Sequence, residues 1–359
     1  MTMKPSIRLT PIAAAFALGL ALQPAHAQNR EKITFAIGTT SIDVSQANNT
    51  SIPQFTKCWE KEGLEVVVQP ISSAAGMQAV LSGQAQVANM GPGSALIARS
   101  KGAPIKAIYL NIRKNFQFPV VLDESPIKSI ADFKGKTIGV ISYGAVLVDV
   151  TKGMIAEAGL DPAKDVTFIE TGAGAQAVAA LRSGKVDIWG TWDSQIATAE
   201  NMGLKLRRFT SPSAEKLTFG SSYFARDDYI KSNPQALEKF LRCTALGTQI
   251  VMANPEGAIR AHWQIYPASK PSGLDDATAM KQALHIVRTR MEFLQVEQGA
   301  RFGELSLASA TAMIDFMRAN KQIQAPLDPK DVYTNQFVEG ANRFDAAAVR
   351  AAAASLPRN

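Results

Sequence analysis

The sequence predicts an α/β protein of two lobes, each a mostly parallel sheet flanked by helices, with a helical C-terminal extension. Three observations lead to it. Apolar β runs alternate with helix-length stretches from residue 31 to residue 209, the pattern of βαβ units. The series starts again near residue 118, and one segment of it recurs. After residue 222 the β runs give way to successive helical stretches.

Residues 32–37 (KITFAI) read as a strand closed by Gly38, and a polar turn follows at Thr39, Thr40, Ser41 and Asp43. A helix is expected over 53–62, ending at Gly63. Residues 64–70 form a second strand, and Ser72 and Ser73 cap a helix from about 74 to 81. A third strand over 85–90 runs into Gly91-Pro92-Gly93-Ser94, which opens a helix to Ser100; a fourth strand covers 105–110. The second series places strands at 118–122, 137–141, 166–170, 186–190 and 204–209. Its helices are a short turn at 129–133, one ending at Ala158, and two over 175–181 and 194–202. Helices then cover 235–253, 256–266, 275–291, 306–320 and 346–354.

The recurring segment is Gly76-Met77-Gln78-Ala79-Val80-Leu81-Ser82-Gly83. It returns as Gly174-Ala175-Gln176-Ala177-Val178 and, two residues later, Leu181-Arg182-Ser183-Gly184. A period of about 100 residues is far longer than a solenoid repeat and implies two half-sized lobes.

At 359 residues, 46% hydrophobic and 19% charged, the chain is neither disordered, nor collagen-like, nor a disulfide scaffold. Its net charge of +7 is spread without a Lys/Arg block, so no nucleic-acid partner is expected. Residues 1–27 read as a signal peptide. Lys4 and Arg8 precede an apolar run over 12–22, and Ala25-His26-Ala27 marks cleavage before Gln28. That run is short of the about twenty residues a membrane span needs. The expected destination in a bacterium is the periplasm, an oxidising compartment.

Cys58 and Cys243 are expected as two buried free thiols in core-facing helices, with a single bridge as the second reading. Two cysteines with His26, His262 and His285 supply too few ligands for a structural metal. No G-x-S-x-G, P-loop or H-E-x-x-H motif is present, and Gly172-Ala173-Gly174 lacks the third glycine of a dinucleotide fingerprint. No cofactor is expected.

What remains is a set of small polar loops at the carboxyl ends of strands, over 39–41, 72–74, 91–94, 142–144 and 171–174. Ligands of open α/β sheets bind at such ends, where helix N-termini present free N–H groups. Small residues let the backbone approach, and hydroxyl and N–H donors suit an anion. The candidate contacts are Thr40, Ser41, Ser73 and Ser94 from one lobe, with Tyr143, Gly144, Thr171 and Trp192 from the other. Arg113 is the candidate charge partner, and Phe116 and Trp192 are candidate aromatic walls.

Three stretches carry a family resemblance: SPIKSIADFKGKTIGV (125–140), LRSGKVDIWGTWDSQ (181–195) and ARDDYIKSNPQALEKFL (225–241). They resemble the periplasmic substrate-binding proteins of ABC importers for nitrate, taurine and alkanesulfonates. The resemblance implies type II periplasmic-binding topology, with crossing segments near 118–122 and 220–225. Lobe one would hold residues 28–120 and 223–359, and lobe two residues 121–222. It also implies a monomer that captures a small organic anion, a sulfonate or carboxylate with aromatic ones included, between the lobes. The bound anion is then delivered to a membrane permease. The alternative is an exported enzyme of the same fold, such as an aromatic sulfinate desulfinase working through a cleft cysteine, for which Cys58 is the early thiol.

Overall fold

The computed structural model describes residues 1–2, 30–143, 146–296 and 299–358. The expected signal peptide, beyond its first two residues, and the candidate contact Gly144 lie outside them.

The first series builds one sheet from β1 (Glu31–Gly38), β2 (Leu64–Ile71), β3 (Val87–Met90) and β4 (Ile105–Leu110). Between them run α1 (Ser51–Phe55), α2 (Cys58–Lys61), α3 (Ser73–Leu81) and α4 (Pro92–Ser100). The second series gives β5 (Gln117–Leu122), β6 (Lys136–Val140), β7 (Val166–Glu170), β8 (Ile188–Trp192) and β9 (Leu206–Arg208). Its helices are α5 (Val146–Glu157), α6 (Ala175–Arg182), α7 (Asp193–Asn201) and the short α8 (Pro212–Glu215). Then come β10 (Ser222–Arg226), α9 (Asp227–Ser232) and α10 (Pro234–Ala253). The rest is α11 (Pro255–Ile265), α12 (Asp276–Leu294), α13 (Leu307–Ala319), α14 (Val338–Ala341) and α15 (Ala346–Ala354).

The sheet orders are β2-β1-β3-β10-β4 and β7-β6-β8-β5-β9. In each sheet the first three strands are parallel, and one antiparallel strand is inserted next to the third. That inserted strand, β10 or β5, follows directly on a crossing from the other sheet. The crossings therefore run over 111–116 and 209–221, where Asn111 and Ile112 N–H groups both donate to the Ser221 carbonyl at 2.9 Å. The segments 118–122 and 220–225, expected as the crossings, are mostly the strands β5 and β10.

The central strands of the first sheet are covered on both faces, and β3 is buried along its whole length. Ile33, Phe35 and Ile37 of β1 pack with Leu237, Phe240 and Leu241 of α10. Ala36, pointing the other way, packs with Met77 and Val80 of α3 and Leu96 of α4. The recurring segment lands on equivalent elements, α3 before β3 and α6 before β8. Gly83 and Gly184 end those two helices with φ of +78° and +72°, a conformation that a side chain would strain.

The single helix expected over 53–62 is broken into α1 and α2 by Lys57, which sits in the left-handed region at φ 54°. The Thr56 hydroxyl and N–H both bond to the Ile52 carbonyl, at 2.7 and 3.0 Å, and close the last turn of α1. The break points Cys58 at α10, and the expectation of two free thiols is corrected: Cys58 and Cys243 form a disulfide with Cα atoms 5.7 Å apart. A separation of 185 residues hid the pairing from the sequence. Trp59 stacks on Phe240 beside it at 6.0 Å between ring centroids.

The C-terminal helices reach both lobes. α12 packs along α7, with Asn201 donating to the Gln282 carbonyl at 2.9 Å and His285 2.8 Å from Glu200. Met313 and Phe316 of α13 share a buried cluster with Val150 and Met154 of α5 and Leu96 of α4. Gly153 permits that approach, since a Cβ there would overlap the Phe316 ring. No helix among the described residues is long and apolar enough to cross a membrane.

Candidate functional site in the seam between the lobes

The carboxyl ends of the parallel strands carry the polar loops. After β1 the turn is closed by the Thr39 hydroxyl, which donates to the Ser41 carbonyl at 2.8 Å. Asp43 then caps the 3-10 turn Val44–Asn49: its Oδ1 accepts from Ser45 N–H at 2.7 Å, and Gln46 Oε1 accepts from Asp43 N–H at 2.8 Å. This reciprocal cap buries Ser45 and Asn48. Asn48 donates to Thr248 Oγ1 at 3.1 Å and lies 3.4 Å from Asn111 Oδ1 on the first crossing.

After β8 the chain enters α7 through Asp193 and Ser194, both fully buried. Asp193 N–H donates to the Phe116 carbonyl at 3.0 Å. The Ser194 hydroxyl accepts from the Trp192 indole N–H at 3.0 Å. From α12, Arg290 brings a guanidinium whose Nη2 donates to Asp193 Oδ1 at 2.7 Å and lies 3.4 Å from Ser194 Oγ. The guanidinium sits over the Phe116 ring, 5.3 Å from its centroid. A cation, a carboxylate, a hydroxyl and two aromatic side chains thus meet where α12, α7 and the first crossing converge.

The electrostatics are those of a dry site. Burial pushes the Asp193 carboxyl up to about 6, outweighing the opposite pull of Arg290. Asp193 Oδ2, Arg290 Nε and Ser45 Oγ are buried with no hydrogen-bond partner among the described residues. Ser45 and Arg290 line one tight crevice with Asn48, Val287 and Leu294. Buried polar atoms are normally paired, so each of these three is left with a hydrogen bond to make.

Nearer the crossings the lobes touch. Gly91 and Pro92 at the start of α4, Phe116, Val150 of α5, Leu217 and Met313 enclose a cavity of only about 20 Å³. A roomier hollow of about 600 Å³ lies elsewhere, on the outer helices, lined by Arg260, Met280, Lys281 and Arg288. It has none of the strand-end loops, and the seam is the better candidate.

The sequence-derived residues fall as follows. Thr40 and Ser41 are exposed in the turn after β1. Ser73 begins α3, and a Cβ on Gly38 would lie 2.7 Å from its Oγ, so β1 and α3 meet only because residue 38 is glycine. The Ser94 hydroxyl is 3.8 Å from Met90 Sδ, inside the first turn of α4. Tyr143 is 59% exposed, and its N–H donates to Glu170 Oε1 at 2.8 Å. Thr171 N–H donates to the Val140 carbonyl at 2.9 Å, which joins the ends of β6 and β7. Trp192 reaches Arg290 through Ser194. Arg113 instead directs its guanidinium to the Arg301 carbonyl at 2.6 Å.

Sequence reasoning missed Asp193, Ser45 and above all Arg290. The signal for Arg290 was present: Met280, Ala283, Val287, Arg290 and Leu294 follow one another at spacings of three and four, so the arginine sits on the apolar stripe of α12. The early thiol required by the enzyme alternative is unavailable, because the Cys58 sulfur is bonded to Cys243.

Comparison with known proteins follows the same lines. A family model described as NMT1/THI5 like matches residues 58–258. The riboflavin-binding protein RibY of Chloroflexus aurantiacus is 27% identical over 259 residues, covering 69% of this chain and 68% of its own. A 4-amino-5-hydroxymethyl-2-methylpyrimidine phosphate synthase of Uromyces fabae is 25% identical over 232 residues, covering 58% of this chain and 64% of its own. Among solved structures, the periplasmic aliphatic sulphonate binding protein SsuA of Escherichia coli superposes with a TM-score of 0.64 at 17% identity, over 84% of this chain and 91% of that one. At that identity the likeness is one of fold, and it is the two-lobed fold expected from the sequence.

Proposed function

Because the chain belongs to the NMT1/THI5-like family, we propose that it is the solute-binding component of an ABC importer, capturing a small organic anion between its lobes. The observation that carries this reading is Arg290. Its side chain is nearly buried, paired with Asp193 through Nη2 and left with one unmet donor, Nε–H, which supports a further polar partner there. Charge-assisted bonds to a desolvated carboxylate or sulfonate are about twice as strong as neutral ones, and Arg matches both groups geometrically. Phe116 lies under the guanidinium and the Trp192 indole N–H is bonded to Ser194, and these two aromatic side chains beside the pair support an aromatic acid as ligand.

The proposed contacts are Thr40, Ser41, Ser73 and Ser94 on one lobe, and Tyr143, Gly144, Thr171 and Trp192 on the other. Arg290, ion-paired with Asp193, and Arg113, which donates to the Arg301 carbonyl, join them as candidate charge partners. Closure of the lobes about the two crossings would form these contacts together, and the closed form would be what a membrane permease recognises. The leader-like residues 1–27 support export to the periplasm, and a monomer suffices for this cycle. The bonded state of Cys58 weighs against a thiol-dependent enzyme.

A thermal-shift screen of aliphatic and aromatic carboxylates and sulfonates tests the reading. A true ligand at a hundred times its dissociation constant adds about 2.7 kcal/mol of stability. Stabilisation by at least one of these acids, lost in Arg290→Ala, is the expected result. A protein stabilised by none of them, or equally in Arg290→Ala, rejects it.

A further inference from the structure

The hollow of about 600 Å³ on the outer helices is a groove between α11 and α12. Ala277, Lys281, Leu284 and Arg288 follow one another along α12 at spacings of four, three and four, so they share one face of that helix. Arg260 of α11 and the buried Met280 complete an apolar floor with a cationic rim. Arg99, Arg207, Arg208, Arg226, Arg242 and Arg343 each sit against a carboxylate. Arg260, Lys281 and Arg288 do not: among the described residues they make neither an ion pair nor a side-chain hydrogen bond. The carboxylate in the lining, Asp276, is already bonded to Lys270 at 2.8 Å. That bond, with Arg260 adding a weaker pull, holds the Asp276 carboxyl below its ordinary range. The groove therefore keeps an excess of positive charge.

We propose that this groove docks an acidic amphipathic segment of a partner protein, with an apolar side chain on Met280 and Leu284 and carboxylates on Arg260, Lys281 and Arg288. Lys281 and Arg288 are seven residues apart, about 10 Å along the helix axis. A lone oxyanion bonds at one end of that row and leaves the apolar floor wet. An acidic helix covers both, because its apolar face fills the groove while carboxylates two turns apart meet the rim. Opposite charges at the rim speed the encounter and set the register, and the apolar contact beneath is the part shielded from water. Docking here leaves the seam untouched. Gln282 and His285, which meet α7, and Arg290, which meets Asp193, lie on other faces of α12. The inference thus goes beyond solute capture and does not rest on the anion-binding reading.

Fluorescence anisotropy with a labelled helical peptide tests this. The probe carries two glutamates two helical turns apart with leucines on the face between them, and its control has glutamine in place of each glutamate. The expected result is saturable binding of the acidic peptide, about tenfold tighter than the control and weakened by added salt. Lys281→Glu with Arg288→Glu should weaken it by about tenfold or more, with the fold intact by circular dichroism because both side chains are exposed. Leu284→Ala should weaken it by a smaller factor, which a purely ionic site would not show. No saturable binding, equal binding of the two peptides, or undiminished binding in the charge-reversed variant overturns the inference and leaves the anion-binding reading of the seam standing. Phosphatidylglycerol vesicles or tripolyphosphate bound by the wild type and not by that variant, with the peptide unbound, overturn it in favour of a lipid surface or a small polyanion. The two-peptide comparison needs no variant, so a poorly folding substitution does not suspend the test.

Discussion

Arg290 on α12 donates to Asp193 at the head of α7, 97 residues earlier in the chain, and so ties the C-terminal helices to the second sheet. The bond is made inside the protein, where one partner alone would be a buried unpaired charge.

Removing either partner should therefore be costly. Arg290→Ala is expected to lower unfolding free energy by about 3–5 kcal/mol, and so is Asp193→Ala. The double variant should lose less than the sum of the two. Urea denaturation of the four proteins gives the coupling directly; additive losses would mean that the pair does not interact in solution.

The acid limb of stability should depend on His262. It is buried, hydrogen-bonded to Ser51 through Nδ1 at 2.8 Å, and burial lowers its pKa from 6.5 to about 4. The unfolded chain therefore binds a proton that the folded one refuses between those values. Stability is full above pH 6.5 and falls as pH drops toward 4, by about 1.4 kcal/mol per unit. His262→Gln should flatten that slope in denaturation curves taken at pH 7, 6, 5 and 4.5.

Asp193 should act in the opposite sense. Its folded pKa is raised from 3.8 to about 6 by burial, so the folded state holds the proton more tightly. The resulting stabilisation is complete below pH 3.8 and is lost as pH rises through 6. Asp193→Asn removes it, and the same denaturation series should then show a steeper acid limb than the wild type. A shallower limb would contradict the burial-driven shift.

The disulfide should matter for stability and not for binding. Cys58→Ser with Cys243→Ser is expected to cost about 2–5 kcal/mol, read as a lower melting temperature by calorimetry. Affinity for any ligand found in the screen should stay within about twofold, since α2 and α10 meet at Trp59 and Phe240 and not in the seam. A loss of binding in the refolded double variant would place Cys58 nearer the chemistry than the structure does.

Local pattern carried the sheets and the helix order into the sequence reading. Gly83 and Gly184 stop α3 and α6 at matching places because a left-handed residue is needed there, and this is visible in letters alone. The break at Lys57 was not, because a lysine in the left-handed region has none of the lettering by which a glycine announces a helix end. The polar loops at the strand ends were legible for the same reason that caps are. The seam was not. It is made by α12 crossing to α7, and long-range packing leaves only one trace in a sequence: a charged residue on an apolar helical stripe. Read in that way, Arg290 would have been found.

The exchange of β5 and β10 has a further consequence for how the chain can be assembled. The strands of the second sheet, from Gln117 to Arg208, are one unbroken stretch, whereas the first sheet lacks its β10 until residue 226 has been delivered. A chain emerging amino end first completes its later sheet before its earlier one, against the usual order of domain folding. The same geometry brings the two ends of the insertion together, since Leu110 and Ser222 are paired neighbours across β4 and β10. Residues 111–221 could be exchanged for a short hairpin turn without moving either strand.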